Sequence, residues 1–141
     1  MVILDTDILT HFFDCGSLGL QIIARLNQLP TGSVATTIVS YEEQTRGRLA
    51  YVSRSKTVAK NVEAYNRLQN HLRCFLKMPV VAFTESAAVE FQQLQKLKLR
   101  VGTMDLRIAA IALSMDATLL TRNLQDFEKV PGLKFEDWTK P

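Results

Sequence analysis

The sequence predicts an α/β fold in which helices cover a parallel sheet of four to five strands. Short apolar runs of the kind found in buried parallel strands recur along the chain. Segments with helical periodicity separate them, and a helix is the usual connection between neighbouring parallel strands. With 141 residues and a hydrophobic content of 47%, the chain is expected to form a single domain over residues 1–141.

The strands are predicted wherever an apolar run is bounded by polar residues, Gly or Pro. The first run opens the chain and ends in an aspartate, Asp5. In chain order, the predicted strands cover residues 1–4, 34–36, 79–83, 118–121 and 133–135, the last at an edge of the sheet.

The helices are predicted from apolar residues three or four positions apart. They cover residues 8–13, 18–29, a segment that begins near a capping Thr37, 53–75, 85–98 after a capping Thr84, 104–115 and 123–127. Residues 53–75 are amphipathic, and we expect them to pair with residues 18–29 as a helical clip. Residues 104–115 are almost wholly apolar, which predicts a buried helix.

Acidic and amide side chains follow the predicted strands, or lie in helices that follow strands. They are Asp5, Asp7, Glu42 or Glu43, Asp105, Asn123 and Asp126. Because parallel strands end at one edge of the sheet, these oxygen atoms are expected to converge there. Such a set favours Mg²⁺ or Mn²⁺, which lowers the pKa of a bound water and stabilises charge on a phosphodiester. No Cys or His cluster has the spacing of a zinc site.

The sequence assigns some of these carboxylates as metal ligands more clearly than others. Asp105 lies in the first turn of an almost wholly apolar helix. Because that helix is predicted to be buried, a role for Asp105 in surface solubility is not expected. We interpret Asp5 as a ligand and Asp7 as a supporting or capping residue. The helical periodicity does not decide whether Glu42 or Glu43 is the ligand. Glu43 lies one turn before Gly47, a glycine that would let this helix pack closely.

The net charge of +3 is unevenly distributed along the chain. Eight cations lie between Arg46 and Lys77, with Glu63 as the single acid. This stretch fits either a site for a polyanionic substrate or a solvated helix face. We expect His71, within it, to be exposed. The two isolated cysteines and the lack of an apolar run long enough to span a membrane favour a cytoplasmic protein with no membrane contact.

Four segments together resemble the PIN-domain family and, within it, the VapC-like toxin ribonucleases. They are residues 4–9 (LDTDIL), 39–47 (VSYEEQTRG, with E-x-x-x-G spacing), 102–112 (GTMDLRIAAIA) and 121–133 (TRNLQDFEKVPGL). Each motif is weak alone, but the four in this order are quite specific, and the match covers essentially the whole chain. The resemblance implies a PIN-like fold and a ribonuclease that uses Mg²⁺ or Mn²⁺.

The resemblance also assigns roles to residues. It implies that Asp5, Glu43 and Asp105 are the acids and that Thr121 contacts the site through its hydroxyl group. Asn123 stands where the family often has Asp, so Asp126 or a water would complete the ligand shell. A homodimer, and inhibition by a cognate antitoxin whose tail occupies the active-site groove, are implied as well. On this hypothesis the RNA backbone is held by Arg46, Arg107 and Arg122.

Two alternative functions fit parts of the sequence. A haloacid-dehalogenase-like phosphatase would use Asp5 as a nucleophile and Asp7 as a general acid. It would also need a downstream Lys and an acidic pair at a strand end, and neither is well placed here. A non-catalytic PIN-type module that binds RNA or protein is compatible with Asn123, whereas the three retained acids argue against it.

Overall fold

A computed structural model describes residues 1–14 and 16–140, and Cys15 lies outside them. Within these residues five strands form one parallel sheet in the order β3-β2-β1-β4-β5. The strands are β1 (Val2–Leu4), β2 (Val34–Thr37), β3 (Val80–Val81), β4 (Thr118–Leu120) and β5 (Lys134–Glu136). The predicted parallel α/β sheet is therefore confirmed. Its first strand lies at the centre, which places the residues after β1 in the middle of the carboxyl edge.

Helices connect the strands and cover both faces of the sheet. They are α1 (Thr6–Asp14), α2 (Ser17–Leu26), α3 (Ile38–Arg54), α4 (Val58–Leu76), α5 (Glu85–Lys96), α6 (Thr103–Ser114) and α7 (Leu124–Phe127). The predicted caps are confirmed, since the side chains of Thr37 and Thr84 accept hydrogen bonds from the backbone of Ser40 and Ala87. None of the helices in the described ranges is long and apolar enough to cross a membrane.

The alternation of side chains along the strands divides the core into two clusters. Ile3 and Leu119 pack on one face against α6, which is as buried as its composition predicts. Leu4 and Leu120 pack on the other face against α1 and α2. The sheet is thus buried on both sides, and its polar carboxyl edge remains the natural place for a site.

The predicted helix over residues 53–75 is wrong in its start and its partner. The third helix continues through Gly47 to Arg54, and α4 begins only after Thr57, whose side chain caps it. Most of the apolar stripe of this amphipathic segment faces outward: Val58 is 81% and Leu72 52% exposed, whereas Phe75 at the end of the stripe is 6% exposed. Because α4 packs mainly against α3, the helical clip is built from α3 and α4 rather than from α2.

Two further expectations about this helix pair are corrected. A Cβ atom added at Gly47 would meet no other atom within 4 Å, so this glycine does not allow close packing. His71 is only 4% exposed, because its ring stacks on Tyr41 at 5.8 Å and meets Phe75 edge-on at 4.7 Å. Its Nε2 lies 2.9 Å from Thr45 Oγ1, whereas Nδ1 is buried without a partner.

We expect His71 to make the α3–α4 pair sensitive to acid. Burial, and to a lesser extent Arg48, lower the pKa of His71 from its ordinary value of 6.5. The unfolded chain therefore binds this proton first as the pH falls. The resulting stability is present above pH 6.5 and is lost as the pH falls through the lowered folded-state pKa. Urea denaturation of the wild type and of His71→Gln across this range measures the effect. Identical pH dependence in the two proteins would contradict it.

Candidate active site

Asp5 is the central acidic residue of the carboxyl edge. It follows β1 directly and is 4% exposed. Its Oδ1 accepts a hydrogen bond from the backbone N–H of Thr6 at 2.8 Å, and its Oδ2 accepts one from the Thr121 hydroxyl at 2.7 Å. Burial, followed by repulsion from Asp7, raises the pKa of Asp5 to about 7. The carboxylate is thus held rigidly in a position where its negative charge is costly.

The two candidate glutamates of α3 point to different places. The Thr6 hydroxyl donates a hydrogen bond to Glu43 Oε1 at 2.8 Å, which brings Glu43 next to the start of α1. Glu42 instead forms an ion pair with Arg46, one turn further along the helix. The structure therefore brings Glu43, and not Glu42, to the edge where Asp5 lies.

Asp105 lies in the first turn of α6, where the helix dipole favours a negative charge. Burial nevertheless raises its pKa to about 6, and repulsion from Glu43, Asp126 and Asp7 adds to the effect. No cation contributes to the shift of either Asp5 or Asp105. Among the described residues, neither carboxylate forms an ion pair.

Asn123 and Asp126 form one local unit at the start of α7. Asn123 caps this helix: its Oδ1 accepts from the Asp126 backbone N–H at 3.4 Å, and its Nδ2 donates to Asp126 Oδ2 at 3.0 Å. The backbone N–H of Asn123 donates to the Thr121 hydroxyl at 3.0 Å. Asn123 therefore positions Asp126, whose charge reaches Asp105, while Thr121 connects this unit to Asp5.

Asp7 lies beside this cluster rather than at its centre. Its Oδ2 accepts a hydrogen bond from the backbone N–H of Arg122 at 3.1 Å, and this bond ties α1 to the segment after β4. Its Oδ1 is buried without a partner, and burial raises the pKa of Asp7. Asp7 therefore keeps one carboxylate oxygen unpaired beside the other acids.

The three arginines expected to hold RNA do not lie together. Arg46 and Arg107 line a cleft of about 570 Å³ between α3 and α6, together with Phe83. The Arg107 guanidinium lies over the Phe91 ring, 5.6 Å from its centroid. Arg122 is elsewhere, with Nη1 3.0 Å from His11 Nε2.

Thr6 contacts two of the candidate acids, although the sequence pattern gave it no role. Its backbone N–H holds Asp5 and its hydroxyl holds Glu43, so one residue fixes two acids from different segments. The signal was available in the sequence, because Thr6 stands between Asp5 and Asp7. Its partner Glu43 is far along the chain, and only the fold reveals that contact.

The donor set of the edge suits a hard divalent cation. Among residues 1–14 and 16–140, no three acidic, His or Cys side chains are gathered closely enough to bind one ion as they stand. The available ligands are nevertheless carboxylate oxygens, the type that Mg²⁺ and Mn²⁺ prefer. Burial raises the pKa of both Asp5 and Asp105, and repulsion from neighbouring acids, chiefly Asp7 for Asp5 and Glu43 for Asp105, adds to it; a cation at this edge would relieve that repulsion.

Comparison with known proteins gives consistent matches along most of the chain. The PIN domain family model matches residues 2–133. Ribonuclease VapC2 of Rickettsia felis is 27% identical over 126 residues, which cover 86% of this chain and 82% of that protein.

Solved structures match over the same extent. VapBC-1 from nontypeable Haemophilus influenzae is 26% identical, with a TM-score of 0.69 that covers 99% of this chain and 100% of that one. VapBC-5 from Mycobacterium tuberculosis, a member of the VapBC family of toxin-antitoxin systems, is 24% identical with a TM-score of 0.58. That alignment covers 96% of this chain and 94% of that one.

Proposed function

The chain belongs to the PIN-domain family, and we propose that it is a metal-dependent endoribonuclease that acts as the toxin of a toxin–antitoxin pair. The observation that carries the proposal is that Asp5 and Asp105, both with raised pKa values, form no ion pair among the described residues. A ribonuclease name on the Rickettsia felis relative supports the choice of substrate. Residues 1–141 act as one nuclease domain in this proposal.

We propose that Asp5, Glu43, Asp105 and Asp126 hold Mg²⁺ or Mn²⁺. When bound, such an ion activates a water and stabilises the charge that develops on the phosphodiester. The chain's own residues fix the geometry: Thr6 orients Asp5 and Glu43, and Thr121 orients Asp5. Asn123 acts through Asp126, which it holds by its side-chain amide. This indirect role accounts for a neutral residue at a position where an acid is usual in the family.

The two alternative functions are not favoured. The Asp5 carboxylate has both oxygens engaged in hydrogen bonds and is almost fully buried, which is a poor arrangement for a phosphatase nucleophile. A binding module without catalysis would have no use for a buried acid, Asp5, beside further acids whose repulsion raises its pKa and so destabilises the fold.

We also propose which surfaces meet protein partners. The cleft between α3 and α6 has exposed apolar residues at its rim, with Ile38 41% and Phe83 37% exposed, and it would form a homodimer interface. The outward apolar stripe of α4, with Val58, Val62 and Tyr65, would be covered by a cognate antitoxin. The toxin–antitoxin description of the Mycobacterium tuberculosis relative supports such a partner. We place this pair in the cytoplasm.

The decisive experiment is cleavage of a mixed RNA pool by the purified chain. We expect cutting with Mg²⁺ or Mn²⁺, no cutting with EDTA, and no cutting by Asp5→Ala. Cutting that persists in EDTA would contradict the metal dependence. RNA binding without cutting by the wild type would favour the non-catalytic module, and a covalent aspartyl-phosphate would favour the phosphatase.

Glu43→Gln is expected to lower kcat by about 10²-fold, because it removes one negative charge from the proposed ligand set. Glu42→Gln is the matched control, since this neighbouring residue pairs with Arg46 away from the edge. We expect it to retain nearly full activity in the same RNA cleavage assay. Equal losses in the two variants would contradict the assignment of Glu43.

A further inference from the structure

A polar groove runs along one face of α3, directly beside the candidate active site. Its helix residues recur at spacings of three and four positions, so they share one face. The groove has a volume of about 270 Å³ and is lined by Thr10, Gln44, Gly47, Arg48, Tyr51 and Arg54. Of the groove residues, the sequence assigned a packing role to Gly47 alone, and it included Arg48 and Arg54 only as members of the basic stretch.

The groove begins at the acidic edge. The Gln44 side-chain amide donates to the Thr10 hydroxyl at 3.1 Å and to the backbone carbonyl of Thr6 at 3.4 Å. The hydroxyl of the same Thr6 holds Glu43. A strand lying in the groove would therefore reach the proposed metal ligands without leaving the surface of α3.

The groove continues away from the edge into a second depression of about 210 Å³. The two share Tyr51 and Arg54, and the second adds Lys60 at the start of α4. From Gln44 to Arg54 the helix rises about 15 Å. The groove is thus an extended track rather than a pocket for a small molecule.

The charge of this track is positive and unneutralised. Among the described residues, Arg48, Arg54 and Lys60 form no ion pair. The one acid that lines the track, Glu63, is bound by Arg67 at 2.8 Å. The Arg67 guanidinium also lies 4.6 Å from the centroid of the Tyr51 ring. Unpaired cations beside an aromatic ring are the usual means of holding a single strand of nucleic acid.

Gly47 provides an independent observation at the floor of the groove. A glycine in the middle of a helix costs about 1 kcal/mol relative to alanine. Packing does not explain this one, because a Cβ atom would meet nothing within 4 Å. That Cβ would instead project into the groove. The missing side chain keeps the helix backbone open to close approach by a bound molecule.

We propose that this groove binds the backbone of single-stranded RNA as the strand enters the active site. Arg48 and Arg54 contact phosphates, Tyr51 stacks on a base, and Gly47 allows the strand to approach the helix. The inference deepens the proposed ribonuclease function and rests on it. It also separates the cations of the basic stretch into those that line the track, such as Arg48 and Arg54, and those that do not, such as Arg73 and Lys77.

Gly47→Ala gives the sharpest test, because the helix and the groove predict opposite effects. The variant is expected to unfold at higher temperature, since alanine favours the helix. It is expected to raise KM for RNA several-fold with kcat nearly unchanged, because the new methyl group occupies the groove. Ser53→Ala, on an exposed part of α3 outside the groove, is the control and should keep the wild-type KM. A stabilised Gly47→Ala variant with unchanged KM would overturn the role of Gly47.

The charges are tested by binding of fluorescently labelled single-stranded RNA in EDTA, where cleavage does not interfere. The double variant Arg48→Gln/Arg54→Gln should reduce the slope of log K against log salt by about 1.4, or about 0.7 for each lost phosphate contact. The control Arg73→Gln/Lys77→Gln removes the same charge from the last turn and C-cap of α4, outside the track, and should keep the wild-type slope.

The outcomes separate this inference from the proposed function. Wild-type cleavage with equal salt slopes in the two double variants would overturn the groove while leaving the ribonuclease intact. A wild type that does not cleave RNA would contradict the catalytic proposal. If the Arg48→Gln/Arg54→Gln variant then binds RNA more weakly than this wild type, the groove is still supported. If a polyglutamate peptide competes as well as RNA and loses affinity equally in the variant, the groove accepts an acidic protein segment instead, and the RNA assignment fails.

Discussion

Asp5→Asn is expected to lower the rate of RNA cleavage by about 10³-fold while the chain remains folded. The substitution removes the one carboxylate that lies at the centre of the edge and is held from both sides. A loss of this size is typical when a group that stabilises charge in the transition state is removed. Because an amide is a poor ligand for a hard cation, the loss should appear mainly in kcat at saturating metal.

The fold is expected to tolerate this change. The asparagine oxygen would accept the Thr6 N–H, and its amide would donate to the Thr121 hydroxyl, which accepts from the backbone of Asn123 as well. Burial and the neighbouring Asp7 raise the pKa of Asp5 to about 7, so the charged form destabilises the folded protein at neutral pH. The variant should therefore unfold in urea at the same or a higher midpoint at pH 8.

The control for this variant is Asp116→Asn. Asp116 is exposed, pairs with Lys134 at 2.9 Å, and has a φ of 50°, a conformation that asparagine accepts. It should leave cleavage unchanged. A folded Asp5→Asn protein with more than a tenth of wild-type kcat would remove Asp5 from the catalytic centre, because a ligand of the essential ion cannot be dispensable.

The parts of the fold that the sequence predicted are those fixed by local signals. The apolar run before Asp5 has no stable place except a buried strand, and Thr37 and Thr84 satisfy the free N–H groups at the start of α3 and α5. Because parallel strands end together, the position of Asp5 at the carboxyl edge of the sheet followed from the same observation. These inferences needed no knowledge of which helices touch.

The parts that were wrong or left open depend on distant contacts. Glu42 and Glu43 differ by about 100° around the helix, and the choice between them is made by Thr6, which lies on another element. Most of the apolar stripe of α4 faces outward because Ala64 and His71, together with Phe75 at the end of the stripe, form the inward face of the helix. Periodicity measures how apolar a face is, whereas the partner of that face is a property of the whole fold.

Gly19→Ala is expected to be the most destabilising single change outside the acidic edge, at about 3 kcal/mol or more. A Cβ atom at this position of α2 would lie 2.1 Å from the backbone oxygen of His11 in α1. Neither atom belongs to a flexible side chain, so the two helices would have to separate. The sequence alone gave no sign of this, since Gly19 lies within an ordinary helical pattern.

Thermal and urea unfolding measure the change in stability, and Gly19→Ala and Gly47→Ala form a matched pair of variants for this comparison. Both substitutions add one methyl group within a helix, and their expected signs are opposite because only Gly19 is in contact with backbone. Separation of α1 from α2 would also shift Thr6, which holds Asp5 and Glu43, so any folded Gly19→Ala protein should cleave RNA more slowly. A Gly19→Ala protein as stable as the wild type would show that α1 and α2 can move apart without cost, and the rigid placement of the acids by α1 would then have to be abandoned.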